Sequence, residues 1–80
     1  MPTLIRQDGF GIRMYFDDHD PPHVHVFKAG GQAKIAIGDS TTAPSLLLVQ
    51  DMNSKEAKAA LRVVTQHQTK LLETWEDYHG

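Results

Sequence analysis

The sequence predicts an α+β fold: a small antiparallel sheet of four to five strands with one long C-terminal helix packed on one face. Three observations carry that expectation. Short runs in the first half alternate apolar and polar residues, Asp8-Gly9 and Gly30-Gly31 carry hairpin turn chemistry, and the C-terminal segment bears one apolar stripe at three- and four-residue steps.

Thr3-Leu4-Ile5-Arg6-Gln7 reads as the first strand, about 3–7. After Asp8-Gly9, the second strand (about 10–16) sends Phe10, Ile12, Met14 and Phe16 one way and Arg13 and Tyr15 the other. An acidic turn with Pro21-Pro22 separates it from His23-Val24-His25-Val26-Phe27-Lys28. With Gly30-Gly31 as a two-residue loop, that strand (23–28) pairs with the next (32–37) so that Val26 meets Ile35 and Val24 meets Ile37. The same register sets His25 against Ala36 and Phe27 against Lys34 on the other face. Ser40-Thr41-Thr42-Ala43-Pro44 is loop chemistry, and the apolar run at 45–50 reads as a short strand rather than a helical turn, with Leu46–Val49 expected in the core. Asn53 with Glu56 three residues later forms a capping-box pattern, from which a helix runs over about 54–78. Its stripe is Ala57, Ala60, Leu61, Val64, Gln68, Leu71, Trp75 and Tyr78, a rod of nearly 40 Å at ~1.5 Å per residue, in which Gln66-His67-Gln68 is the one place open to a bend or break. Trp75 reads as the anchor of the stripe and His67 as a boundary residue.

Composition narrows the function classes. Eighty residues make one domain, 1–80, with a thin core that buries about 60 to 65% of its unfolded surface. There is no cysteine, so neither disulfides nor a thiolate zinc cage stabilise it, and a cytoplasmic location is expected. Neither a signal peptide nor an apolar run of ~18 residues is visible, so no membrane association is expected. A net charge of −2 argues against a general nucleic-acid binder, and the deficit lies in the second half, since the cations and carboxylates of residues 1–38 balance. Glu73, Glu76 and Asp77 fall in the last helical turn, against the helix dipole, and call for a cationic neighbour.

The segment from Asp17 to Val26 concentrates the chemistry, with three of the five histidines and two of the four prolines. Strand parity puts His23 and His25 opposite the core face, in company with Arg13, Tyr15, Phe27, Lys34 and Ala36. Three readings compete. In the first, His19, His23 and His25 divide the roles of general base and acid while Lys34 or Arg13 stabilises a developing phosphorane charge, with Tyr15 and Phe27 as a binding platform. In the second, the His-x-His pair spans a metal ion, completed by His19, Asp18 or Asp20. In the third, the imidazoles only hydrogen-bond the acidic loop, and the aromatic face is a dimer interface. No cofactor motif is present; a metal is the one cofactor these residues can hold. Gly30-Gly31 is turn chemistry, not a phosphate loop, because no helix follows.

The opening Met1-Pro2-Thr3, the segment His19-Asp20-Pro21-Pro22-His23-Val24-His25, the downstream Ala33-Lys34-Ile35 and the ending Leu71-Leu72-Glu73-Thr74-Trp75 together resemble the bacterial family known as domain of unknown function 4160. The resemblance covers nearly the whole chain and is weakest from Asp39 to Asp51. It implies a bacterial cytoplasmic protein encoded beside a small protein partner, in an arrangement similar to toxin–antitoxin modules in which this family looks like the toxin. His19, His23, His25 and Lys34 are the positions that match it. The expectation is therefore a toxin-like protein acting on RNA through the histidine face, although the net charge does not favour RNA binding. The alternatives are a non-catalytic interaction module, which dimerises or binds its operon partner through that face, and a metal-binding protein. Whether the chain is an enzyme is left open.

Overall fold

In the computed structural model, which describes residues 3–15 and 17–79, one five-stranded antiparallel sheet runs in the order β1-β2-β3-β4-β5, followed by two helices. The strands are β1 (Ile5–Gln7), β2 (Phe10–Arg13), β3 (His23–Lys28), β4 (Gly31–Ala36) and β5 (Ser45–Gln50); the helices are α1 (Ser54–Gln66) and α2 (Gln68–His79). No helix among the described residues is long and apolar enough to cross a membrane.

Asp8 and Gly9, with φ of 54° and 82°, close the first hairpin and pair Gln7 with Phe10, as the Asp-Gly signal predicts. β2 is shorter than its alternation suggests. Beyond Arg13, Tyr15 and Asp18 bond to each other instead of to a neighbouring strand, which turns the chain out of the sheet. Phe16, expected on the core face, lies outside the described residues.

The second hairpin corrects the expected register by two residues. Ala29 and Gly30, not the two glycines, take the left-handed positions at φ 47° and 87°. Lys28 then pairs with Gly31, Val24 with Ile35 and Val26 with Ala33. A two-residue shift preserves parity, so every side chain keeps its face although all its partners change. On the other face His25 now stands opposite Lys34, Phe27 opposite Gln32 and His23 opposite Ala36. Gly31 is glycine for a different reason: a Cβ there would strike the Asp51 carbonyl.

The single long helix is two helices. His67 caps α1 with φ −113° and ψ 17°, its N–H returning to the Thr65 and Val64 carbonyls, and α2 restarts with Leu71 N–H donating to the His67 carbonyl. Side-chain bonds on both sides hold the break. His67 Nε2–H donates to Gln7 Oε1 at 2.8 Å, and Gln68 Nε2 reaches the Ile37, Asp39 and Thr42 carbonyls at 2.9 to 3.0 Å. The rod of nearly 40 Å would overrun a body measuring 33 × 28 × 20 Å, and bending keeps the apolar stripe on the sheet. At the other end of α1, Asn53 and Glu56 make both capping-box bonds.

The core follows from these pieces. Phe10, Ile12, Met14, Val24, Val26, Ile35 and Ile37 are buried as expected, joined by Ala33 from the sheet and by Ala60, Val63, Val64, Leu71 and Trp75 from the helices. α1 lies against β4 and β5, but Leu46–Val49, expected in the core, are exposed, because β5 is an edge strand. α2 carries Trp75 to the start of β3, where its ring meets His23. The acidic last turn of α2 finds no Lys or Arg: among the described residues Glu73, Glu76 and Asp77 make no ion pair.

Candidate metal centre

The Tyr15–Asp18 turn, the Pro21 carbonyl and the first turn of β3 converge on one point. Tyr15 N–H donates to Asp18 Oδ2 at 3.2 Å, and Asp18 N–H donates to the Tyr15 carbonyl at 3.3 Å, so the carboxylate is aimed by backbone on both sides. His23 and His25, two apart on β3, present their rings to the same side, with centroids 5.2 Å apart. The Asp20-Pro21 peptide is cis, and the Pro22 carbonyl accepts from Ile37 N–H, joining the turn to the end of β4.

Asp18, His23 and His25 each offer one ligand atom, and all three atoms lie within 4.8 Å of one another. His23 Nε2 stands 3.5 Å from Asp18 Oδ1, and His25 Nε2 stands 3.3 Å from Asp18 Oδ2. The other nitrogen of His23, Nδ1, lies 2.8 Å from the Pro21 carbonyl. A carbonyl only accepts, so Nδ1 carries the proton and a neutral ring turns the lone pair of Nε2 toward the carboxylate. Two acceptors facing each other in a buried place need a positive charge between them, a proton or a metal ion.

His23 is the only buried polar residue among the described ones, at 4% exposure. Its parity places it on the open face, but Trp75 closes over it with ring centroids 5.5 Å apart. Burial lowers the pKa of His25 below its ordinary 6.5 and outweighs the Asp18 carboxylate, which raises it; the neighbouring His23 and Lys34 also lower it. The shift favours the neutral imidazole, the state that ligates a metal.

The other site residues expected from sequence divide into three groups. Arg13 and Lys34 flank His25 on the neighbouring strands, and Tyr15 sets its ring edge to His25 at 4.8 Å. Phe27 lies one step along β3 under the Arg13 guanidinium, 4.7 Å from ring centroid to Cζ. Arg13 and Phe27 also line an open cleft of about 360 Å³ with Arg6 and Lys28, and no carboxylate lines it. His19 does not join the triad. It is exposed and borders a separate cleft of about 340 Å³ with Asp18, Asp20, Trp75, Glu76 and His79.

Asp18 stands where the sequence pattern favoured His19. They lie three and two residues before Pro21, and only the Tyr15–Asp18 turn decides which side chain points inward. His79 was not anticipated at all. It stacks on Trp75 at 3.8 Å, donates through Nδ1 to the Trp75 carbonyl at 3.0 Å and leaves a buried Nε2 without a partner. Its four-residue spacing from Trp75 was the available signal.

The family model described as "Domain of unknown function (DUF4160)" matches residues 9–76, and the chain belongs to that family. No curated protein and no solved structure matches the chain.

Proposed function

We propose that this member of the DUF4160 family holds a divalent metal ion between Asp18, His23 and His25. The observation that carries this reading is the ligand spacing. A tetrahedral ion with ligands at ~2.0 to 2.1 Å sets neighbouring ligand atoms ~3.4 Å apart, close to the 3.5 and 3.4 Å from Asp18 Oδ1 to His23 Nε2 and His25 Nε2, while the whole set, within 4.8 Å, closes slightly around an ion. The Nδ1–H bond of His23 to the Pro21 carbonyl adds the outer contact that fixes a ligating imidazole. Two nitrogens and one oxygen suit zinc or a neighbouring transition metal and leave a coordination position free for water, whose pKa such an ion brings to about 7.

Metal analysis of protein produced without a His tag, after supplementation with Zn²⁺ or Co²⁺, tests the proposal. One ion per chain, lost in both Asp18→Ala and His25→Ala, is expected. Substoichiometric metal in the wild-type protein refutes it.

A second reading, implied by the family resemblance, is a toxin-like protein of a two-gene module that acts on RNA. What supports it is the carboxylate-free cleft at Arg6, Arg13 and Lys28, which adjoins the centre because Arg13 pairs with His25. In this reading Lys34 and the histidines serve the reaction, and the operon partner covers their face. Expression in a bacterial host separates it from a non-catalytic interaction role. Growth inhibition by wild type that is abolished in the His23→Ala/His25→Ala variant is expected; no inhibition, or equal inhibition by both, eliminates it.

A further inference from the structure

The β5 strand, Ser45–Gln50, is an edge that lacks charge and proline, and its one irregularity is a β-bulge at Leu47. Leu46, Leu47, Leu48 and Val49 are 38, 46, 49 and 37% exposed. Its outer side forms no backbone hydrogen bond among the described residues. The opposite edge, β1, is only three residues long and presents the exposed charge of Arg6, two of the devices by which proteins block edge pairing.

From this we infer that β5 pairs with the β5 of a second copy of this chain, antiparallel about a two-fold axis, joining two sheets into one of ten strands. The strand is self-complementary. Setting Leu46 against Val49 of the second copy also sets Ser45 against Gln50 and Leu47 against Leu48, apolar on apolar and polar on polar. A two-fold axis normal to the sheet requires opposed residues to share a face. Residues three apart in a regular strand do not, since side chains alternate. Here the β-bulge supplies the correction. Leu46 pairs with Ile35 and Leu48 with the adjacent Lys34, so Leu47 is the extra residue and parity changes across it. Leu46 and Val49, opposite Ile35 and Ala33, both lie on the helix face; Ser45 and Gln50, opposite Ala36 and Gln32, both lie on the histidine face. An apolar hollow of about 280 Å³ beside Leu46, Val49, Met52 and Ala57 continues the helix-face contact.

In the pair, both histidine faces point the same way. Each β3 lies two strands from the seam, which puts the two β3 strands ~24 Å apart, five intervals of ~4.8 Å.

Sedimentation of the untagged full chain between about 1 and 200 µM measures the association. A species of twice the 8.9 kDa chain mass is expected. Leu48→Lys and Leu47→Lys, each entering the seam twice, are both expected to weaken it by at least about tenfold with unchanged circular dichroism. The chain has no cysteine, so Leu46→Cys mixed with Val49→Cys should form a cross-linked heterodimer under mild oxidation, in preference to either variant alone. A monomer throughout the range, a dimer unaffected by both lysine variants, or no preference for the mixed cross-link overturns the inference.

Discussion

His23 donates its Nδ1 proton to the Pro21 carbonyl at 2.8 Å, and that bond directs the Nε2 atom at the Asp18 carboxylate 3.5 Å away. Two acceptors in this position hold together only around a positive charge. The consequences can be separated by substitution, because changing the carboxylate to an amide supplies donors where the metal or proton would sit.

Asp18→Asn is therefore expected to leave the metal-free protein as stable as the wild type, or up to ~1 kcal/mol more stable, since an amide N–H can donate to an imidazole lone pair. The same substitution should abolish the rise in unfolding midpoint that Zn²⁺ gives the wild type. Thermal unfolding with chelator and with Zn²⁺ makes both measurements. A metal-induced shift retained in the variant would remove Asp18 from the ligand set.

The lowered pKa of His25 has a definite sign in stability. In the pH window just below 6.5 the unfolded chain binds the proton more readily than the folded one. Stability then rises with pH across that window and is lost as pH falls through it. Urea unfolding in chelator at about pH 5 and about pH 8 should show a smaller difference for His25→Gln than for the wild type. An equal or larger difference in the variant would assign the pH dependence elsewhere.

Gly38 and Gly30 both have positive φ, at 74° and 87°, but differ in surroundings. A Cβ at Gly38 would collide with the Thr42 carbonyl, whereas one at Gly30 meets nothing within 4 Å. Gly30→Ala should cost about 1 kcal/mol, the conformational cost alone, and Gly38→Ala more than about 2 kcal/mol. Denaturant midpoints at equal m-value make the comparison.

Gln68 is the tie between the helix break and the loop after β4, through its contacts with the Ile37, Asp39 and Thr42 carbonyls. Gln68→Leu keeps helix propensity and adds apolar bulk, yet should destabilise by about 1 to 3 kcal/mol because it strands those carbonyls. A neutral result by chemical denaturation would mean that solvent replaces the amide.

Much of the fold was legible because it depends on local chemistry. Asp8-Gly9 allows one kind of hairpin, Asn53 and Glu56 satisfy each other's backbone within a single turn, and alternation assigns Phe10, Ile12, Val24, Val26, Ile35 and Ile37 to one face whatever their partners. Parity is blind to even shifts, so the alternation fits either register of the second hairpin. The register was settled by Ala29 accepting a left-handed φ and by Asp51 closing on Gly31, a contact between residues twenty apart.

The candidate site was legible only in part, for the same reason. Sequence alone determined that His23 and His25 share a side of β3 and that an acidic, proline-bearing turn precedes them. Tertiary structure decided the rest: the turn selects Asp18 over His19, the register brings Lys34 beside His25, and the helix break lets α2 carry Trp75 onto His23. Each of those choices is made by contacts between segments distant in sequence, whose geometry no local periodicity encodes. The Asp17–Val26 stretch thus specifies the chemical types of the candidate site, and packing specifies which of them meet.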